Sequence, residues 1–153
     1  MKKHLYILLV VCLLQACKTI DLYEKIVSFP NHEWSGNDKP SFKFVISDSS
    51  ARYNIFTVIR HTEAYDFNNI WLNVTTIAPG DTAVQQQLNL KLGDNAKGWL
   101  GAAMGDIIEH RILLNQFPVK LKSGEYTFIL QQIMREDPLK NVLNAGIRVE
   151  KVE

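Results

Sequence analysis

The sequence predicts an all-β protein, an antiparallel β-sandwich that resembles a jelly roll. Short segments throughout the chain alternate between apolar and polar residues, which is the period of a strand with one buried face. Turn-forming residues separate these segments at intervals of about ten residues, as in sandwiches and barrels. The chain contains no internal repeat and no low-complexity segment. From the number of alternating segments we expect about eight strands around one core.

Alternation defines most of the predicted strands directly. Phe42, Phe44 and Ile46 share one face of the first clear segment. The next segments show the same period, and Pro79-Gly80 supplies a strong turn between two of them. The first strand is expected to open at 26–29, and the clear strands are predicted at 41–48, 53–60, 70–77, 85–92, 125–132 and 146–151.

Two segments are less regular. Segment 107–114 fits either a strand or a helical turn, and we favour a strand because glycines precede it and its neighbours are strands. Residues 138–143 are predicted to form one short helical turn. Asp137 suits the N-cap of such a turn, and Pro138 suits its first helical position.

The N-terminus has the form of a secretory signal. Lys2 and Lys3 precede an apolar run from Leu5 to Leu14, which is too short to span a bilayer. The next residues, Gln15-Ala16-Cys17, complete a pattern that resembles the lipobox of bacterial lipoproteins. In that class the signal is cut before the cysteine, whose sulfur receives a diacylglycerol, and the new amino terminus is acylated, with palmitate expected.

This resemblance divides the chain into three parts. Residues 1–16 are predicted to be a cleaved signal peptide, residues 17–24 a lipidated N-terminus and tether, and residues 25–153 a single sandwich domain. Acyl chains on Cys17 give stable membrane attachment. Because Lys18 rather than an aspartate follows the anchor, the outer membrane is favoured over the inner membrane.

Charge and cysteine content limit the possible functions. Removal of residues 1–16 takes away two lysines and no acidic residue, which leaves 15 basic and 16 acidic side chains and a formal charge of −1. This balance gives no reason to expect a nucleic-acid partner. Cys17 is then the one remaining cysteine, so the mature chain holds no internal disulfide.

The polar clusters show no catalytic or metal-binding spacing. His32-Glu33, His61-Thr62-Glu63 and Glu109-His110 lack the HExxH arrangement, and no GxSxG or phosphate-binding glycine loop is present. We therefore expect no enzyme activity, no cofactor and no metal site. An alternative function is glycan binding on an aromatic platform built from Trp34, Trp71 or Trp99. Trp71 is the best candidate because it falls opposite the apolar face of its strand.

Arg135-Glu136-Asp137 has two interpretations. The segment is either a charged surface that faces a partner, or a loop in which Arg135 pairs with a neighbouring acid and Asp137 caps a helix. We favour the loop.

A set of short stretches, taken in order, resembles the gliding-motility lipoprotein family GldH. No single stretch is diagnostic, but their order and spacing extend over the whole mature chain. The stretches are PNHEW (30–34), DKPSF (38–42), YNI (53–55), RHT (60–62), NIWL (69–72), WLG (99–101), GDI (105–107), MREDPL (134–139) and GIRVEK (146–151).

The resemblance implies a lipoprotein of the cell envelope in Bacteroidetes-type bacteria. The family is required for gliding and is associated with other gliding lipoproteins and with the type IX secretion system, although some members occur in bacteria that do not glide. It implies an accessory role without catalysis. Loops on a rigid sandwich commonly carry binding, so 31–38, 61–69 and 134–140 are the expected contact surfaces. Trp34, Tyr65 and Arg135 are the candidate contact residues within them.

Overall fold

The computed structural model describes residues 22–152, which form fourteen strands and one short 3-10 turn at Pro30–His32. The strands are β1 (Leu22–Ser28), β2 (Glu33–Trp34), β3 (Ser41–Ile46), β4 (Arg52–Thr62), β5 (Asn69–Ile77), β6 (Val84–Lys91), β7 (Gly93–Asp94), β8 (Gly98–Trp99), β9 (Ala102–Met104), β10 (Ile107–Leu113), β11 (Val119–Lys120), β12 (Gly124–Gln132), β13 (Leu139–Lys140) and β14 (Val142–Val152). The predicted all-β class is therefore confirmed, and segment 107–114 is a strand as favoured. No helix within 22–152 is long and apolar enough to cross a bilayer.

The eight long strands pair in a nested order. The first pairs with the last (β1 with β14), the second with the seventh (β3 with β12), the third with the sixth (β4 with β10), and the fourth with the fifth (β5 with β6). Every pairing is antiparallel. The large sheet runs β1-β14-β4-β10-β9 and the small sheet runs β3-β12-β5-β6. This nesting is the jelly-roll arrangement, so the predicted resemblance to a jelly roll is also confirmed.

One core lies between the two sheets. The small sheet contributes aromatic and aliphatic side chains that include Phe42, Phe128 and Leu72, and the large sheet contributes Ile59 and Ile147. All five are at most 3% exposed. Alternation places these residues inward and leaves polar residues outward, which is the pattern from which the strands were predicted.

The outer face of the large sheet carries an arginine–glutamate ladder. Its six residues join four strands in the order Arg60, Glu109, Arg111, Glu24, Arg148 and Glu150. The distance from a guanidinium nitrogen to a carboxylate oxygen of Glu109 is 2.6 Å for Arg60 and 3.1 Å for Arg111. Such a network contributes more than isolated surface pairs do. The arginine–glutamate ladder spans the region where Gly146 pairs with Val58, and the Val58 side chain is fully buried.

The predicted helical turn at 138–143 is wrong. Leu139–Lys140 is a strand paired with Glu33–Trp34, and β14 begins at Val142. Leu139 and Val142 are both fully buried, and Asn141 adopts a left-handed conformation that turns the chain between them. Asp137 caps no helix, because its carboxylate accepts a hydrogen bond from the backbone N–H of Gly36 at 2.8 Å.

The predicted tether is too long by three residues. Leu22, Tyr23 and Glu24 already pair with Glu150, Val149 and Arg148 of β14. The strand is fixed there because the Tyr23 ring packs against Phe44 with centroids 5.0 Å apart. The predicted signal peptide and the Cys17 anchor lie outside the described residues.

The topology gives the sandwich two distinct ends. The entry end is defined here as Leu22 and the connections 47–51, 78–83 and 114–123. The far end is defined as the connections 29–40, 63–68, 92–106 and 133–141. β4 runs between them over eleven residues, so the ends are about 35 Å apart.

Close packing of β1 on β14 at Gly146 predicts the effect of a single methyl group. A Cβ at Gly146 would lie 2.5 Å from the Lys25 carbonyl oxygen and 3.0 Å from the Ile26 Cα. Gly146→Ala is expected to lower the free energy of unfolding by about 1–3 kcal/mol, because backbone has to move. Urea unfolding measures this. Gly36→Ala is the control, since its Cβ has no contact under 3.5 Å. Equal effects in both variants would contradict the packing account.

Candidate functional site

The far end brings together the three segments predicted as contact surfaces, 31–38, 61–69 and 134–140. Asn141 donates a hydrogen bond to the Ala64 carbonyl at 2.8 Å, which joins the last segment to the second. The Gly36–Asp137 bond joins it to the first. Separate loops of the sequence therefore form one continuous surface in the fold.

Trp34 does not lie on that surface, so its prediction as a contact residue is wrong. The side chain is fully buried and stacks on Phe29 with ring centroids 4.7 Å apart. Its indole N–H donates to the Asp38 carbonyl at 2.9 Å. A polar tip with a partner allows the large ring to be buried, and Trp34 closes this end of the core. The same burial removes Trp34 from any sugar platform.

Tyr65 is also a core residue, and its prediction as a contact residue is wrong for the same reason. It is 4% exposed, and its hydroxyl donates to the Asn69 carbonyl at 3.0 Å. The ring packs between His61 and Phe67. Burial, assisted by the charge of Glu136, raises the pKa of the Tyr65 phenol well above its usual range, so the group stays a neutral donor.

A buried glutamine, which the sequence analysis did not single out, holds the far end in shape. Gln132 is 2% exposed, and its amide donates to the Trp34 carbonyl at 3.2 Å. Its side-chain oxygen accepts from the Met134 backbone N–H at 2.8 Å. Buried amides need such partners, so Gln132 fixes the path of segment 133–137 beside β2. A glutamine on the inward register of β12 was the available signal.

An open groove of about 520 Å³ lies where segment 133–135 meets β5. Its position is fixed because the Ile133 N–H donates to the Trp71 carbonyl at 3.0 Å. Apolar, amide and cationic side chains line it together. They are Phe67, Asn69, Trp71, Gln87, Ile133, Met134 and Arg135.

Arg135 is exposed at this groove. Among residues 22–152, no acidic side chain lies within ion-pair distance of its guanidinium, so the favoured interpretation, in which Arg135 pairs with a neighbouring acid, is wrong. Of the three predicted contact residues, Arg135 is the one that the fold presents to solvent. Its role as a contact remains a prediction.

The outer face of the small sheet continues from the groove and is rich in uncharged amides. Trp71 is 39% exposed there, on the side expected from its strand pattern. It pairs with Asn89, and the next row along the sheet is Gln131, Asn73 and Gln87. Amides beside an indole offer hydrogen bonds and a flat apolar surface without charge.

A buried histidine pair lies below the far end. The Nε2 atoms of His61 and His110 are 2.9 Å apart, and both side chains are at most 3% exposed. His61 Nδ1 faces the Thr62 carbonyl at 2.8 Å and donates to it, so His61 Nε2 accepts the proton of His110 Nε2. The two neutral rings therefore share one hydrogen bond, and Trp99 covers His61 edge-on.

Both histidines have lowered pKa values. Burial is the main cause for each; the nearby His61 adds to it for His110, whose pKa falls to about 4.

In the part of the chain that the structure describes, no three histidine, cysteine or acidic side chains lie close enough to hold a metal ion.

The histidine pair predicts acid sensitivity. An unfolded histidine takes up a proton near pH 6.5, whereas folded His110 resists protonation until about pH 4. Stability from the neutral pair is thus complete above pH 6.5 and is lost as the pH falls toward 4. The slope is up to about 1.4 kcal/mol per pH unit for each histidine.

Urea unfolding between pH 5 and 7 measures this slope. His110→Gln, which keeps a donor toward His61, is expected to reduce it by about half. His32→Gln is the matched control, because His32 is exposed, and should leave the slope unchanged. An unchanged slope in His110→Gln would show that other groups cause the acid sensitivity.

Comparisons with known proteins agree on one family. The GldH lipoprotein family model matches residues 21–149. A gliding motility lipoprotein GldH homolog of Christiangramia forsetii is 25% identical over 148 residues, which cover 92% of this chain and 90% of that protein. The gliding motility lipoprotein GldH of Flavobacterium johnsoniae is 26% identical over 155 residues, with coverage of 95% and 94%.

One solved structure is loosely similar. The subviral particle of the infectious bursal disease virus protein VP2 superposes with a TM-score of 0.37 at 10% identity, covering 86% of this chain and 33% of that one. The family assignment therefore depends on the sequence matches, which extend over nearly all of β1 to β14. Membership of a lipoprotein family also supports a lipid-anchored location in the cell envelope. This chain belongs to the GldH lipoprotein family.

Proposed function

We propose that the protein is a non-enzymatic, lipid-anchored accessory lipoprotein that supports gliding motility and the associated type IX secretion machinery. It does so through contacts with other envelope lipoproteins at the far end. The observation that carries the proposal is the groove at Arg135, where an exposed cation lies beside Phe67, Trp71, Ile133 and Met134. The names of the two relatives, both gliding motility lipoproteins, support the motility role.

The anchor makes a weak contact sufficient. Acyl chains on Cys17 confine the domain to the surface of a membrane, with the outer membrane favoured. Partners in the same membrane are then met at a high effective concentration. Recognition consequently needs few strong contacts, and the far end offers one compact set of them.

The groove fits an acidic protein segment with an apolar side chain. Arginine and aromatic residues are enriched among residues that dominate protein–protein binding energy. Arg135 can bind a carboxylate through two parallel hydrogen bonds, and the Met134 and Phe67 side chains adapt to an apolar neighbour. The rigid strands β5 and β12 hold both parts in place, so little ordering is needed on binding.

A second candidate function is glycan binding, and the amide face around Trp71 favours it. Exposed indole, Asn73, Asn89 and Gln87 lie on neighbouring strands, where a sugar ring can stack and hydrogen-bond. This function needs the small-sheet face, whereas protein recognition needs Arg135. The two proposals therefore respond to different substitutions.

Arg135→Ala is expected to lower recovery of envelope partners about 5- to 10-fold, in line with the loss of about 1–1.4 kcal/mol at one binding residue. The measurement is affinity purification of the tagged, natively lipidated protein from cross-linked cells, followed by identification of co-purified proteins. Lys25→Ala is the matched control, since Lys25 is an exposed cation on the edge strand β1. Equal recovery for wild type and both variants would refute the contact at the groove.

Tryptophan fluorescence tests the glycan alternative. Addition of an envelope polysaccharide should change the emission of the wild-type protein and leave Trp71→Phe unchanged, because stacking alters the surroundings of that indole. Trp99→Phe is the control, since Trp99 packs on the buried His61. No spectral change with any polysaccharide would remove the glycan candidate.

A further inference from the structure

We propose that the entry end of the sandwich lies against the lipid bilayer, with Phe117 inserted at the membrane interface and Arg52 and Lys120 at the phospholipid headgroups. The inference rests on the proposed lipid anchor at Cys17. It adds a defined orientation: the membrane contacts one end of the sandwich, and the groove at Arg135 faces away from it.

Chain length places this end near the bilayer. Five peptide steps separate Cys17 from Leu22, the first residue of β1. A fully extended chain of that length reaches about 17 Å. Phe117 lies beyond β14 and β4, next to the short strand that pairs with Tyr53 and Arg52. That lateral distance is about 15 Å at the usual spacing of strands, so one bilayer surface can meet both points.

Exposed apolar side chains concentrate at the same end. Five of the eight strongly exposed large apolar residues within the described chain lie toward it: Leu22, Val45, Val84, Leu113 and Phe117. Phe117 is the most exposed of all, at 75%. Single exposed apolar residues are ordinary, but a group at the end where a lipid-anchored chain enters has an apolar phase within reach.

Hydrogen bonds to β4 fix the loop that exposes the Phe117 ring to solvent. The Asn115 side chain accepts a hydrogen bond from the Ile55 N–H at 2.7 Å and donates to the Phe117 carbonyl at 2.7 Å. Arg52 donates to the Pro118 carbonyl at 3.2 Å. These bonds tie segment 115–118 to β4, so the exposed ring is held in a structured loop and not in a free one.

Charges around Phe117 favour an anionic surface. Three carboxylates of the described chain at the entry end already have cations: Asp81 bonds Lys122 at 2.8 Å, Asp48 bonds Lys151 at 3.0 Å, and Glu125 bonds Lys43 at 3.1 Å. Glu150 belongs to the arginine–glutamate ladder. Arg52 and Lys120 have no carboxylate of the described chain within ion-pair distance. Arg52 and Lys120 lie opposite each other where β11 pairs with β4, and Phe117 lies in the loop just before β11. An aromatic ring beside two such cations suits the boundary of acyl chains and anionic headgroups.

A fluorescent label beside Phe117 tests the orientation. The natively lipidated protein is reconstituted into vesicles of phosphatidylethanolamine and phosphatidylglycerol that contain nitroxide-labelled lipid. Gln116→Cys carries an environment-sensitive dye at the entry end, and Ala103→Cys carries the same dye at the far end. Mass spectrometry of each protein first establishes the lipid on Cys17.

The expected result is quenching at position 116 at least about threefold stronger than at position 103, reduced toward the level of position 103 when Phe117→Ser is added. Equal quenching at the two positions, or no effect of Phe117→Ser, would overturn the inference. A protein partner that covers this loop in place of lipid would give such a result. An unmodified Cys17 would refute the anchor itself, which separates failure of the proposed function from failure of the orientation.

Discussion

Pairing of the first long strand with the last is the constraint on which the rest of the structure depends. β1 lies along β14 through seven register positions, from Leu22 with Glu150 to Ser28 with Asn144. Gly146 allows the close approach, and the arginine–glutamate ladder crosses the same strands on the outer face. Because the first and last strands are neighbours, the remaining long strands nest between them, and the chain enters at a fixed end.

That constraint places the two proposed contact surfaces at opposite ends of the sandwich. The entry end receives the lipid-anchored segment and presents Phe117, while the far end, about 35 Å away, presents Arg135 and the groove. A rigid sandwich between them acts as a spacer, since a β-sheet core has little freedom to bend. The fold is thus suited to hold the proposed recognition surface at a defined height above a membrane.

The sequence predicted local features well because they depend on local residues. Alternation of apolar residues, as at Phe42, Phe44 and Ile46, indicates that one face of a strand is buried, so the strands could be predicted from it. Strand order was not predictable, because turn residues mark where a strand ends and not which sheet the next strand joins. The helical turn predicted at 138–143 was wrong for a related reason. Asp137-Pro138 favours the start of a helix, but Leu139 is buried where it pairs with Trp34, and this tertiary packing stabilises a strand.

Candidate contact residues were harder to predict than strands. Trp34 and Tyr65 lie in segments that read as exposed loops, but each large ring has a buried polar partner that only the fold supplies. Arg135, in contrast, is exposed in the fold, because a long cation without a buried partner stays in water. The convergence of His61 with His110, and of Gln132 with Trp34, joins residues far apart in sequence. No local pattern carries such information.

The most direct test of a membrane end and a partner end is site-specific photo-crosslinking in living cells. A photoreactive amino acid is placed at position 135 at the far end, at position 116 at the entry end, and at position 85 on β6, the edge strand of the small sheet. We expect protein adducts at position 135 and lipid adducts without protein adducts at position 116. Protein adducts confined to position 116, with none at position 135, would contradict it.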